Sequence, residues 1–208
     1  MPARNPDLHG NAPDACDAAL LLIDVINDLE FPGGEALLAS ALRAARKIRA
    51  LKVRARAAGM PVIYANDNFG RWRSDFRQVV EHCLTAGVRG QPLAELLAPD
   101  REDYFVVKPK HSAFYATPLE LLLTYLKTRR LIVTGLAGDV CVLMTAADAY
   151  VRDLEVFIPS DCIASQTPAE NRKAIQYMAR VFHADVRPSA RLDVKKLAGK
   201  VKRARKAR

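Results

Sequence analysis

The chain has 208 residues, half of them hydrophobic and 26% charged, which is typical of one globular domain that can bury a sizeable core. It contains no run of about 18 uncharged apolar residues. Its first 17 residues lack the apolar core of a signal peptide, so we expect a cytoplasmic protein with no membrane contact. The four cysteines should then be reduced thiols, and without a CxxC pair they do not indicate a zinc knuckle.

The net charge of +9 comes mostly from the C-terminal end of the chain. Residues 195–208, KKLAGKVKRARKAR, contain eight lysines or arginines and no acidic residue, which leaves +1 for the rest. We interpret residues 191–208 as a basic tail. Such a tail is either a solvated appendage or a weak electrostatic contact for RNA, DNA or an anionic surface. It has no interleaved aromatic residues, so base stacking is not indicated.

Short apolar runs alternate along the chain with segments of helical periodicity. The predicted strands are 18–24, 61–67, 104–108, 131–135, 155–161 and a short last strand at 184–187. The predicted helices are 35–59, a short one near 92–97, 117–129, 139–153 and 167–182. Alternating strands and helices with continuous apolar strands predict an α/β fold, in which a mostly parallel sheet is covered on both faces.

Three chemically distinct residues are predicted to lie near the carboxyl ends of these strands, where ligands bind in such sheets. Asp24 ends the first strand, Lys108 ends the third, and Cys141 follows the fourth at the predicted start of a helix. Taken singly, each has an ordinary explanation: a turn former, a solvated edge residue and a packing cysteine. If the strands are neighbours, an acid, an amine and a thiol share one rim of the sheet.

This combination is suited to nucleophilic chemistry on a carbonyl group. A free thiol is mostly protonated at neutral pH, but a helix N-terminus and a nearby ammonium stabilise the thiolate, and a carboxylate can remove the proton. Backbone N–H groups of the turn before Cys141 can face a developing oxyanion, and Gly135 and Gly138 permit a tight backbone path there.

Three stretches of the sequence resemble the signatures of the isochorismatase-like cysteine hydrolases. They are LLLIDVINDL (20–29), VVKPKHSAFYATPLELLL (106–123) and LIVTGLAGDVCVLMTAADAYVRDLEVFIPSDCIAS (131–165). This superfamily includes nicotinamidases, N-carbamoylsarcosine amidases and ureidoacrylate amidohydrolases. The resemblance implies a three-layer α/β/α Rossmann-like fold with a six-stranded, mostly parallel sheet. It also implies an N-terminal extension at 1–17 and a hydrolase domain at 18–190.

The resemblance also implies roles for individual residues. Asp24 matches the aspartate that takes the thiol proton, Lys108 the supporting lysine, and Cys141 the nucleophile that forms a thioester and releases ammonia or an amine. Lys110 is the alternative to Lys108. The family pattern places a cis peptide at residues 136–137 and an oxyanion hole at the N–H groups of Ala137 and Cys141. No cofactor is implied.

Two departures from the family pattern bear on the substrate. Gly138 stands where the family usually has Thr or Ser. The segment NDNFGRWRSDF (66–76) has none of the histidines with which nicotinamidases hold a metal there, so a metal and nicotinamide are both disfavoured. We expect this segment to be a specificity loop or subunit contact, or else a surface loop anchored by its tryptophan. The candidate pocket residues are Asn66, Asn68, Phe69, Trp72 and, beyond the loop, Phe114.

The sequence therefore predicts a metal-independent cysteine hydrolase that cleaves the C–N bond of a small amide or carbamoyl compound. The alternatives are a vinyl-ether hydrolase of the isochorismatase type, since some such members lack the cysteine, and a non-catalytic binding protein that uses the basic tail. The resemblance also implies a homo-oligomer, either a dimer or a tetramer.

Overall fold

The computed structural model describes residues 15–67, 75–85 and 87–199. Its strands are β1 Ala18–Ile23, β2 Val62–Asp67, β3 Tyr104–Lys108, β4 Arg130–Leu136, β5 Glu155–Phe157 and β6 Ile163–Ala164. Its helices are α1 Gly34–Ala57, α2 Phe76–Thr85, α3 Gln91–Leu96, α4 Leu119–Leu126, α5 Cys141–Tyr150, α6 Pro168–Val181 and α7 Val194–Ala198. None of the helices in these ranges is long and apolar enough to cross a membrane.

The sheet has six parallel strands in the order β3-β2-β1-β4-β5, and β6 also pairs with β4. Its central strand β1 is apolar throughout because both of its faces are covered. Leu20 and Leu22 pack with α1, α2, α3 and α7, whereas Leu21 and Ile23 pack with α4, α5 and α6. The predicted three-layer α/β/α fold with a six-stranded sheet is confirmed.

The sixth strand lies elsewhere than the sequence predicts. The strand predicted at 155–161 ends at Phe157, and Pro159, which has no N–H to donate to a ladder, follows shortly after. The chain then re-enters the sheet as β6, whereas the predicted strand at 184–187 makes only a single bridge, between Asp185 and Phe157. Helix α2 was not predicted.

The start of α6 illustrates how local chemistry sets an element boundary. The Thr167 hydroxyl accepts the N–H of Glu170 at 3.2 Å, and the Glu170 carboxylate accepts the N–H of Thr167 at 3.1 Å. Pro168 occupies the first helical position, where no N–H is needed. The sequence predicts this capping box and a second one at Thr117 and Glu120. The structure confirms the first, whereas at the start of α4 the Thr117 hydroxyl accepts the N–H of Leu119 and no capping box forms.

Part of the predicted basic tail packs against the body of the protein. Leu192, Val194 and Ala198 are buried in the core on the α1 face. Arg54 of α1 donates to the carbonyl of Leu192, and the Cys16 thiol donates to the carbonyl of Ala198 at 3.3 Å. The segment from Leu192 to the end of α7 is therefore held against the body of the protein, close to the amino end of β1. The domain boundary at 190 stays a prediction.

Candidate active site

Asp24 lies at the carboxyl end of β1, which is the point where the order of the strands reverses between β1 and β4. Ligands of open parallel sheets bind at such points. Its φ of 50° is in the left-handed region, a strained conformation for a residue with a side chain. One carboxylate oxygen accepts the N–H of Asp67 at 2.7 Å, which fixes the direction of the side chain.

Lys108 reaches Asp24 from two strands away. It ends β3, and its fully buried Nζ lies 2.8 Å from Asp24 Oδ2 and 3.8 Å from Asp67 Oδ2. The same Nζ donates to the carbonyl of Lys110 at 3.2 Å. The side chain of Lys110 is exposed, so Lys108 rather than Lys110 is the lysine in this cluster.

Cys141 completes the cluster as the first residue of α5. Its Sγ lies 3.6 Å from Nζ of Lys108 and 3.7 Å from Nδ1 of His111. Cys141 is 9% exposed, whereas Cys16 is 2% and both Cys83 and Cys162 are 0% exposed. The structure therefore brings Asp24, Lys108 and Cys141 together, with the sulfur as the most accessible of the four thiols.

The electrostatics of this cluster favour a protonated thiol. Burial raises the pKa of Asp24 despite the nearby ammonium of Lys108. Burial lowers the pKa of Lys108, but the charges of Asp24 and Cys141 raise it by more. Burial, followed by the charge of Asp24, raises the pKa of Cys141 to about 12. Desolvation and the charge of Asp24 thus outweigh the ammonium of Lys108, which we expected to stabilise a thiolate.

This arrangement predicts an unusual pH profile for alkylation of Cys141. Its labelling by iodoacetamide should rise about tenfold per pH unit up to pH 10 without a plateau, because the thiolate fraction is still growing there. Asp24→Asn removes a charge that raises the thiol pKa, so its profile should shift to lower pH. Mass spectrometry of tryptic peptides measures both profiles. A plateau near pH 9 in the wild-type protein would contradict the prediction.

The loop between β4 and α5 is closely packed: Gly135 is required by its backbone, and Gly138 faces the side chains of Asn171 and Ser165. A Cβ on Gly135, whose φ is 117°, would lie 2.0 Å from the carbonyl oxygen of Ile23. A Cβ on Gly138 would lie 2.6 Å from Asn171 Oδ1 and 3.0 Å from Ser165 Oγ. Asn171 and Ser165 therefore fill the space next to Gly138 that the family's Thr or Ser side chain would need.

The expected cis peptide at residues 136–137 is wrong for this structure, since the described residues contain no cis peptide bond. The loop closes instead with trans geometry and two hydrogen bonds to the carbonyl of Ala137, from Val140 and Val142, both 3.1 Å long. The N–H groups of Ala137 and Cys141 donate to no backbone carbonyl within the described ranges, so both remain available.

Restoring the hydroxyl of the family pattern should destabilise this protein. Gly138→Thr places a β-branched side chain against Asn171, and overpacking of this kind costs about 1–3 kcal/mol. Urea denaturation measures the difference. The double variant Gly138→Thr/Asn171→Ala serves as the control, because it opens the space and should recover part of the stability. No recovery in the double variant would refute the explanation.

The candidate pocket residues are only partly within the described residues. Phe114 is buried, and the guanidinium of Arg152 lies 4.8 Å from the centre of its ring. Asn66 is fully buried and donates to the carbonyl of Ile26 at 2.5 Å, so here it braces the chain after β1. Its place in a pocket stays a prediction. Asn68, Phe69 and Trp72 lie outside the described residues.

Two buried polar atoms among the described residues have no hydrogen-bond partner, namely Asn66 Oδ1 and Asp139 Oδ1, and Asp139 lies two residues before Cys141 in the chain. Asp161 accepts the N–H and the hydroxyl of Ser189 at 2.7 Å and 2.9 Å. No group of three or more His, Cys, Asp or Glu side chains in the described part of the chain is arranged to hold a metal ion. His111 was missed as a site residue, although its position three residues after Lys108 could have indicated it.

A comparison against known families agrees with the strand order and with the three sequence signatures. It also agrees with the cluster at the carboxyl end of β1. A model of the isochorismatase domain matches residues 18–190. The chain belongs to the isochorismatase family. Members of this family are hydrolases, and they include enzymes that act on amides.

The similar proteins include an isochorismatase and an amidase, which represent the two reactions considered above. The uncharacterized isochorismatase family protein YaaI of Bacillus subtilis is 43% identical over 170 residues, which cover 82% of this chain and 93% of YaaI. The isochorismatase of Bacillus subtilis is 28% identical over 173 residues, 80% of this chain and 54% of that protein. The structure of N-carbamoylsarcosine amidase from Thermoplasma acidophilum superposes with a TM-score of 0.67 at 25% identity, covering 85% of this chain and 99% of that one.

Proposed function

We propose that this isochorismatase family protein is a metal-independent cysteine hydrolase that cleaves the C–N bond of a small amide or carbamoyl compound through a thioester. The observation that carries the proposal is the contact of a single buried ammonium with both other groups. Lys108 Nζ lies 2.8 Å from Asp24 and 3.6 Å from the sulfur of Cys141. Packing alone gives no reason to bury a lysine against a carboxylate and a thiol.

The first half of the proposed reaction forms the thioester. Asp24, whose pKa burial raises, takes the proton of Cys141 as the sulfur attacks the substrate carbonyl carbon. The free N–H groups of Ala137 and Cys141 bind the resulting oxyanion. The C–N bond then breaks, and the proton passes from Asp24 to the leaving nitrogen, which departs as ammonia or an amine.

Lys108 has an electrostatic role in this scheme. Its charge lowers the pKa of Asp24 and so opposes the larger effect of burial, which favours the form of the carboxylate that can accept a proton. In the second half of the reaction, water attacks the thioester carbon, the C–S bond breaks and the thiol re-forms. Neither half requires a metal ion.

A screen for released ammonia tests this proposal. The purified protein is incubated with a panel of simple amides, ureides and carbamoyl acids, before and after dialysis against a chelator. We expect release from at least one class of compound, unchanged by chelation and abolished in Cys141→Ala. Ammonia release that survives Cys141→Ala, or that is lost on chelation, would refute the mechanism.

The vinyl-ether alternative rests on the similarity to the isochorismatase of Bacillus subtilis. The presence of Cys141 favours the amidase instead, because vinyl-ether hydrolysis needs no thiol nucleophile. Hydrolysis of isochorismate that survives Cys141→Ala would support the alternative.

The binding-protein alternative is tested by deleting residues 200–208 and measuring salt-dependent affinity for nucleic acid. The deletion starts there because Ala198 is part of the core. An unchanged, negligible affinity would eliminate that alternative.

The predicted dimer or tetramer stays a prediction, although α4 and α5 carry exposed apolar side chains, namely Leu121, Tyr125 and Met144.

A further inference from the structure

We propose that His111 is the general acid–base of thioester hydrolysis in this protein, an inference that rests on the proposed cysteine hydrolase function. The imidazole contacts the reacting atom, since its Nδ1 lies 3.7 Å from Cys141 Sγ. In the first half of the reaction, as proposed above, all proton transfers involve Asp24. The second half needs a group that receives a proton from water and returns one to sulfur.

The position of His111 differs from that of the other two groups around the sulfur. Lys108 is fully buried and Asp24 is 5% exposed, and the two form an ion pair. His111 is exposed. Water that attacks the thioester must come from solvent, and His111 is the exposed member of the three groups that contact the sulfur or its partner.

The backbone holds His111 in place on both sides. The carbonyl of the preceding residue, Lys110, accepts from Nζ of Lys108 at 3.2 Å. The hydroxyl of the following residue, Ser112, donates to the carboxylate of Asp148 on α5. The backbone that carries His111 is therefore tied to β3 on one side and to the helix of Cys141 on the other, which keeps the imidazole near Cys141 Sγ. This fixed geometry is what a proton-transfer group requires.

The proposed step is balanced in atoms and charge. His111 takes a proton from water as the oxygen attacks the thioester carbon. The C–S bond then breaks, and its electron pair stays on sulfur. The imidazolium returns the proton to Sγ, which gives a carboxylic acid and the free thiol. The short distance between Nδ1 and Sγ lets one imidazole perform both transfers. General acid–base catalysis of this kind contributes about 10²–10⁴-fold.

Reaction with 4-nitrophenyl acetate separates the two halves without knowledge of the natural substrate. Acylation of Cys141 gives a burst of nitrophenolate, and hydrolysis of the acetyl-enzyme sets the steady-state rate. For His111→Gln we expect an unchanged burst, a steady-state rate at least about tenfold lower, and accumulation of protein carrying one acetyl group. In His111→Ala, added imidazole should partly restore the steady-state rate. His82→Gln, which removes an imidazole paired with Asp28, is the matched control.

Each outcome of this experiment decides a different question. A steady-state rate at the wild-type level in His111→Gln, or a burst rate and a steady-state rate that fall by the same factor, would overturn the role of His111 and leave the proposed function intact. A wild-type protein with no Cys141-dependent burst would instead refute the proposed function, and this inference with it. Because the side chain of His111 is exposed, the variants should keep the wild-type melting temperature.

Discussion

Replacement of Cys141 by alanine will lower the rate of substrate hydrolysis by at least about 10⁴-fold, because among the described residues Cys141 supplies the thiol that contacts Lys108. Asp24→Asn will lower the rate by about 10²–10⁴-fold, since the amide cannot accept the thiol proton. Initial rates of ammonia release, measured on the first compound that the panel identifies, provide the test.

The Asp24→Asn variant separates the formation of a thiolate from catalysis. It should be alkylated at lower pH than the wild-type protein, because the carboxylate raises the pKa of Cys141. It should nevertheless hydrolyse substrate poorly. Cys83→Ala is the matched control, since it removes a buried thiol from the core on the opposite face of the sheet. A Cys141→Ala variant within tenfold of the wild-type rate would contradict the nucleophile assignment.

Replacement of Lys108 by methionine will destabilise the fold by about 3–5 kcal/mol, because it leaves the buried carboxylate of Asp24 without its partner. The double variant Asp24→Asn/Lys108→Met should recover at least half of this loss. It has no buried charge at this pair, and the side-chain amide oxygen introduced at position 24 can still accept the N–H of Asp67. Urea denaturation measures all three proteins. Neither variant should hydrolyse substrate.

The destabilisation by Lys108→Met should depend on pH. Burial already raises the pKa of Asp24, and without the ammonium this pKa rises further above its value in the unfolded chain. A group with a raised folded-state pKa loses stability as the pH rises through that value. The variant should therefore be closer to wild type at pH 5 than at pH 8.

An exposed ion pair is the control for this stability effect. Arg130 and Glu155 lie 3.2 Å apart at the surface, with side-chain exposures of 31% and 61%. Glu155→Gln should change the free energy of unfolding by less than about 1 kcal/mol, and it leaves the hydrogen bond from Arg130 to the carbonyl of Leu197 in place. The double variant Asp24→Asn/Lys108→Met provides the opposing outcome. If it were no more stable than Lys108→Met alone, an unpaired buried charge could not be the cause of the destabilisation by Lys108→Met.

The sequence predicts the strands and the cluster well because both follow from strong local signals. β1, β2 and β3 are apolar runs whose ends carry Asp24, Asp67 and Lys108, and parallel strands bring such ends to one edge. The pairing of Lys108 with Asp24 across β2 needs the order of the strands, which the apolar pattern does not contain. The resemblance to a family supplied that missing information.

Other features depend on the three-dimensional environment and could not be predicted in the same way. The high pKa of Cys141 results from the water excluded by neighbours that are distant in the chain. The packing against Gly138 depends on Asn171, which lies on α6 and is distant in the chain. The short strand β6 has two residues, too few for periodicity to reveal it.

The contact of Cys16 with Ala198 has a practical consequence. It joins the two ends of the described chain at the amino end of β1, and Gly199 lies so close to Asp17 that an added Cβ would be 2.2 Å from its carboxylate. β1 has six residues and is therefore about 20 Å long. This contact lies at its amino end, whereas the cluster with Cys141 lies at its carboxyl end. A dye, a solid support or a fusion partner joined directly to residue 199 would therefore be attached at the end of the sheet opposite Cys141.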